Sequence, residues 1–336
     1  MYWVMAILGF SLLILVHEFG HYIVARMHKV TVHEFAIGMG PKIWSYKGKE
    51  TTFSLRILPI GGFVDLYGEN ENVNDKGSFS SIAKWRRITI LLAGAVMNLA
   101  FAVGAYTVVN YNIGLAETSL REVKVGSPAE KAGLQVGDDI LKVNGSKAWT
   151  SKDVVLEVNL GKTEPVTLLV DRNGQQKEIT IVPEKAEDNS YLIGIAFNYD
   201  QNPSIIDSLG FSFKSGMSDI VTTFKSLGMI VTGKANLMTD VGGPVTIIKM
   251  TGKAAENGML SLFNLLAFIS VNLAVMNLLP IPVLDGGTSV MILLEMISGR
   301  EIPEKIKNGI TNVFWVILMG FMAFICVKDI LFPVQF

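Results

Sequence analysis

His17-Glu18-Phe19-Gly20-His21 lies inside the segment from Tyr2 to Arg26, whose other residues are nearly all apolar. Ionisable groups at membrane depth each cost about 2.5 to 3.5 kcal/mol on insertion scales, so two histidines and a glutamate there require compensation. A bound metal supplies it. Residues four apart share a helix face, so both imidazoles reach one ion, and Glu18 reaches a water beside it. The stretch predicts a membrane helix that carries a zinc-ligand pattern and hydrolytic chemistry.

Composition supports a mixed membrane and extramembrane architecture. Of 336 residues 50% are hydrophobic and 9% aromatic, and the mean hydropathy is +0.41. That is more apolar than an ordinary soluble chain and too charged for an all-membrane one. Net charge is -1, there is no basic tail, and no stretch interleaves Lys or Arg with aromatics along a groove-like surface, so no nucleic-acid partner is expected. The single cysteine, Cys326, allows no disulfide within the chain and no cysteine-type zinc site.

Four segments are long and apolar enough to span a bilayer: Tyr2 to Arg26, Ile88 to Tyr111, Leu262 to Pro282 and Ile310 to Phe332. The first lacks the basic n-region and small-residue cleavage site of a signal peptide, so it is read as retained. The stretch between the first two spans is rich in Lys and Arg, and Lys84, Arg86 and Arg87 abut the second span. That side is expected to be cytoplasmic. Arg300, Lys305 and Lys307 between the last two spans agree. The termini and the long middle segment then fall outside the cytoplasm.

At about 1.5 Å per residue, His17 lies some 20 Å or more from the outer end of its helix, toward the cytoplasmic half. Asn277-Leu278-Leu279-Pro280-Ile281-Pro282-Val283-Leu284-Asp285-Gly286-Gly287 brings Asp285, a candidate third ligand, to a similar depth. Pro280 and Pro282 cannot continue a helix, so the chain should open into irregular backbone, tolerated at that depth only beside protein or a wet cavity.

These features resemble the site-2 protease family of intramembrane zinc metalloproteases, in particular its RseP-like bacterial group. Phe35-Ala36-Ile37-Gly38-Met39-Gly40-Pro41, Leu58-Pro59-Ile60-Gly61-Gly62-Phe63 and Gly242-Gly243-Pro244-Val245 resemble family segments in the same order, and the likeness covers nearly the whole chain. The resemblance implies one Zn2+ per chain held by His17, His21 and Asp285, with Glu18 as general base and Asn277 handling substrate or the developing oxyanion. It implies hydrolysis of peptide bonds in or near the transmembrane segment of single-span membrane proteins, such as anti-sigma factors or signal-peptide remnants. The location implied is a bacterial inner or plasma membrane. Independently of the family, two imidazoles and a carboxylate leave a fourth tetrahedral position, the open arrangement of catalytic zinc, which lowers the pKa of a water toward about 7 for Glu18 to deprotonate.

The fold expected is a polytopic α-helical membrane protein of about four transmembrane helices. Residues 1–112 form the first half of the protease core, including a membrane-associated β-hairpin region at about 31–66. Thr31 to Ile37, Lys42 to Tyr46 and Thr51 to Ile57 read as short strands there. By itself that pattern suits a plain hairpin, whereas relatives place such a sheet near the active site, where an exposed edge could pair with an extended substrate. Residues 113–200 hold an inserted extracytoplasmic PDZ-like α+β domain: Glu122 to Gly145 looks like the strand, short helix and strand of a PDZ module, and Val166 to Val170 and Glu178 to Val182 continue a β-rich unit ending by about Lys185. Its ordinary role is binding an extended peptide or a free C-terminus; the nearest approach to a carboxylate-binding loop is Gly114-Leu115, and a size filter or docking platform suits the module equally. Residues 201–261 form a linker in which Ser208 to Lys234 has helical apolar spacing, suited either to the outer leaflet or to packing on the PDZ-like module. Residues 262–336 complete the core.

His33 is read as solvated, and Asn98 and Asn272 as bonding across helices, or as substrate contacts if either lies near the active site. A scaffold with a structural metal is the competing reading. Glu18 argues against it, because a structural site has no use for a base beside its ligands.

Overall fold

The computed structural model describes residues 2–69, 73, 75–187, 189–236 and 241–332. Met1 and 333–336, the extremes of the two protease-core halves, lie outside that set. The chain divides into two compact units, residues 1–105 with 223–336, and residues 106–222.

In the first unit α1 (Tyr2–Met27) leads into β1 (Val32–Lys47) and β2 (Thr52–Leu66), followed by α2 (Lys84–Ile113), whose last eight residues belong to the second unit. The two strands pair antiparallel around the turn after Lys47, as Lys47↔Thr52, Tyr46↔Phe53, Ser45↔Ser54 and Trp44↔Leu55. Both strands also bend, so Phe35, Ala36 and Ile37 face Val64, Phe63 and Gly62 as well as Phe53, Ser54 and Leu55. The region is therefore a four-rung sheet rather than a plain hairpin, ordered 62–66, 32–37, 52–55 and 44–47. The 62–66 rung was absent from the expected strands. Glu34 pins the bend by accepting from Ser54 Oγ and Arg56 Nη2, at 2.5 and 2.8 Å, and by pairing with Lys42 at 2.7 Å. Val30, Val32, Leu66, Phe79, Ile90 and Ile292 are buried together.

The second unit holds β3 (Leu115–Val123), α3 (Pro128–Lys131), β4 (Asp139–Val143), β5 (Ser146–Lys147), α4 (Ser151–Gly161), β6 (Val166–Arg172), β7 (Gln175–Ile181), β8 (Glu184–Lys185), β9 (Tyr191–Leu192), β10 (Ile195–Asp200) and the first part of α5 (Ile205–Val231). Its sheet runs β10-β3-β4-β6-β7, over a core of Leu120, Ile140, Val143, Val154, Leu168, Val170 and Ile181. The sheet thus extends past Lys185, because β10 pairs with β3 through Ile195↔Val123 and Phe197↔Leu120. Ser218 Oγ on α5 donates to Asp153 of α4 at 2.5 Å, which sets that part of the helix against the module.

The first unit resumes with α6 (Pro244–Glu256), α7 (Met259–Leu278), α8 (Asp285–Ser298) and α9 (Glu304–Leu331). Among the described residues α1, α2, α7 and α9 are the helices long and apolar enough to cross a membrane. The third span stops at Leu278 rather than reaching Pro282, because Leu279 is extended (φ -63°, ψ 147°) ahead of Pro280. A further helix, α8, begins at Asp285 itself.

Candidate metal centre

Helical spacing on α1 presents His17 and His21 together, with ring centroids 4.8 Å apart and planes nearly perpendicular. Both are buried. Asp285, the first residue of α8, completes the cluster: its Oδ2 lies 3.0 Å from His17 Nε2 and 3.4 Å from His21 Nε2, and the two Nε2 atoms are 3.2 Å apart. The link of irregular backbone between α7 and α8 is folded tightly onto the start of α8. A Cβ at Gly286 or Gly287 would fall 2.4 Å from the Leu278 backbone or 2.0 Å from Ile281 O, so only glycine lets Asp285 sit there.

Helix α2 closes the other side. A Cβ at Gly20 would meet Ala93 O at 2.4 Å, and one at Gly94 would meet both imidazoles at 2.6 Å. The bare glycine surfaces let α1 and α2 approach closely around the rings. His21 Nδ1–H donates to Ile90 O at 2.8 Å, which leaves the lone pair on Nε2. Glu18 lines the same cavity as Phe63 and Val64 of β2, and a Cβ added at Gly62 would lie 3.7 Å from Glu18 Cγ, so the sheet packs against this side chain. A cavity of about 280 Å³ is lined by His17, Glu18, His21, Asn277 and Asp285 together with Phe63, Val64 and Glu69. Asn277 Nδ2 lies 3.5 Å from His17 Nε2.

All five residues singled out in the sequence therefore meet at one cavity. Among the described residues His17, His21 and Asp285 are the group able to hold a metal ion. The larger cavity, about 640 Å³ beside Glu117, Asp139, Asp207 and Lys214 in the second unit, has no such group. The place of Glu69 in the cavity wall and of the Ile90 carbonyl beside His21 was not legible in the sequence. A backbone acceptor has no sequence signature, and Glu69 follows the strands in an ordinary polar turn.

The sequence profile of peptidase family M50 matches residues 5–321. The chain belongs to peptidase family M50. This M50 chain is 40% identical over 334 residues to a Clostridium acetobutylicum protein that bears the name of a zinc metalloprotease, covering 99% of the one and 98% of the other. A Clostridium perfringens protein named in the same way is 42% identical over 334 residues, covering 99% and 100%. A solved PDZ domain from Listeria innocua is 21% identical over 26% of the M50 chain and 99% of its own length, with a TM-score of 0.23. The M50 chain is a membrane zinc metalloprotease, which sets the scaffold reading aside.

Zinc fits the residues present. Tetrahedral zinc with bonds of about 2.0 to 2.1 Å places neighbouring ligand atoms about 3.3 Å apart. The triangle of two Nε2 atoms and Oδ2 in this M50 chain has edges of 3.0, 3.2 and 3.4 Å.

Proposed function

We propose that this peptidase cleaves single-span membrane proteins in or near their transmembrane segment, with His17, His21 and Asp285 as zinc ligands and Glu18 as general base. The observation that carries the reading is the ligand triangle on an apolar helix, opening on the same cavity as Glu18. When bound, zinc supplies a Lewis acid and an acidified water. Glu18, on the wall of the same cavity, takes the proton of the attacking water and returns it to the leaving amine. Asn277 directs its side-chain amide at the same space and donates to the developing oxyanion or to substrate.

A substrate must be extended before its peptide bond is accessible. The 62–66 rung, whose Gly62, Phe63 and Val64 pass Glu18, supports capture of substrate by strand addition. In the second unit β10 is a sheet edge, and a small apolar cavity of about 140 Å³ lies between α4 and 191–197, lined by Val154, Val158, Ile193, Gly194 and Ile195. This supports a PDZ-like groove for an extended peptide at Ile193-Gly194-Ile195, in place of Gly114-Leu115, which sits at the start of β3. The orientation follows from loop charge: active site toward the cytoplasm, PDZ-like module outside.

Cleavage of a tagged single-span substrate by the purified chain in detergent tests the reading. Glu18→Gln is expected to lower turnover by at least about 100-fold, as for loss of a general base, while keeping its zinc. A chelator should abolish cleavage reversibly. Persistent cleavage by the Glu18→Gln chain would remove Glu18 from the mechanism.

A further inference from the structure

We propose that Asn98 is the positioning residue of His17: its side-chain carbonyl accepts the Nδ1–H of that imidazole and thereby presents Nε2 to the metal. The inference rests on the metal centre proposed above. A neutral imidazole carries one N–H, so His17 can bind an ion through Nε2 only with its proton on Nδ1. Nε2 is the nitrogen within 3.0 Å of Asp285 Oδ2 and 3.2 Å of His21 Nε2. Nδ1 faces the Asn98 amide at 3.3 Å.

Asn98 is wholly buried, and among the described residues its Oδ1 has no hydrogen-bond partner while Nδ2 lies against His17. Rotating the amide by half a turn exchanges the two atoms without disturbing packing, since oxygen and nitrogen of this group are assigned from the hydrogen-bond network. With Nδ2 donating to Nδ1, the His17 proton sits on Nε2 and is aimed at Asp285. With Oδ1 accepting, the proton sits on Nδ1 and Nε2 keeps its lone pair for an ion. Asn98 can serve both tautomers, and metal binding selects the second.

The two imidazoles are oriented from one face of α2. Ile90 O holds His21, Gly94 gives both rings room, and Asn98 holds His17, each four residues from the next. Ser270 Oγ of α7 donates to Asn98 O at 2.9 Å, fixing that turn of α2 from the side that leads to Asp285. Outer partners of this kind set the tautomer and basicity of metal-bound histidines.

The test is the zinc affinity of the purified full-length chain in detergent, by competition with a chromophoric chelator, together with the visible absorption of the Co2+-loaded form. Asn98→Leu has similar volume and no acceptor, and should weaken zinc binding by about 10- to 100-fold. Asn98→Asp keeps an acceptor and should bind at least as tightly as wild type, with a wild-type Co2+ spectrum. Wild-type affinity in the Leu variant overturns the proposal, and so do equal losses in both variants, which would trace the effect to packing. If either variant fails to fold, Asn98→Ala and Asn98→Ser repeat the contrast. A wild-type chain that binds no zinc would sink the metal centre itself, an outcome distinct from failure of the Asn98 role.

Discussion

Arg172 shows how much a single charge supports in this chain. Its Nε and Nη2 donate to the two oxygens of Asp138, at 2.6 and 2.7 Å, and the carboxylate is wholly buried. Burial pushes the Asp138 pKa up, but Arg172 and the Gln135 backbone N–H outweigh it and hold the group below its ordinary value. A depressed folded-state pKa stabilises above the unfolded value, about 3.9, and that stability is lost as pH falls through the folded one. Arg172→Leu strands a buried carboxylate and should destabilise the second unit by about 3 to 5 kcal/mol at neutral pH. Faster hydrogen exchange of β4 and β6 amides in the full-length chain measures this. The sequence marked Glu18, His17, His21 and Asp285 because their residue types are costly at membrane depth. It did not mark Asn98 as a partner of His17, since an asparagine inside a span is equally suited to many interhelical bonds.

At the scale of elements, the Gly242-Gly243-Pro244-Val245 segment proves to be the start of α6, with Gly243 as N-cap and Pro244 next. A glycine has no side chain to satisfy the exposed N–H groups of a helix start. Asp329, at the end of α9, does so by accepting from Gly243 N and Thr246 N at 2.9 and 2.8 Å. Neighbouring Lys328 donates to Val241 O at 2.6 Å. Asp329→Ala should cost about 1 to 3 kcal/mol, read as a lower melting temperature in detergent and earlier protease cutting near Val241, with zinc content retained. The four spans were legible as apolar runs, and β1, the first part of β2, β4, β6 and β7 as alternations. The bent four-rung sheet, most of β3, β5, β8 to β10, α4, α6 and α8 were not. Bending adds a second partner to residues whose alternation already reads as one strand, and the β10 edge depends on pairing with β3, far away in sequence.

For the whole molecule, α9 is the clearest witness to the bilayer, with only 6% of its most apolar window buried against protein. Such a surface requires lipid around it. The orientation proposed from loop charge is testable because the chain has the single cysteine Cys326. In a Cys326→Ser background, a cysteine at Lys47 is expected to react with a membrane-impermeant maleimide only after the cells are opened. One at Lys177, exposed on β7, should react in intact spheroplasts, and the reverse pattern would invert the topology. From sequence alone came the membrane class and the zinc-ligand residue types, because hydropathy, helical spacing and side-chain chemistry are local properties. Only the tertiary structure decided that Asp285 closes a triangle with His17 and His21, that the 62–66 rung passes Glu18, and that Ile90 and Asn98 of α2 meet the two imidazoles. Those contacts join residues separated by up to 268 positions, and their geometry exists only once glycine-lined helices have packed.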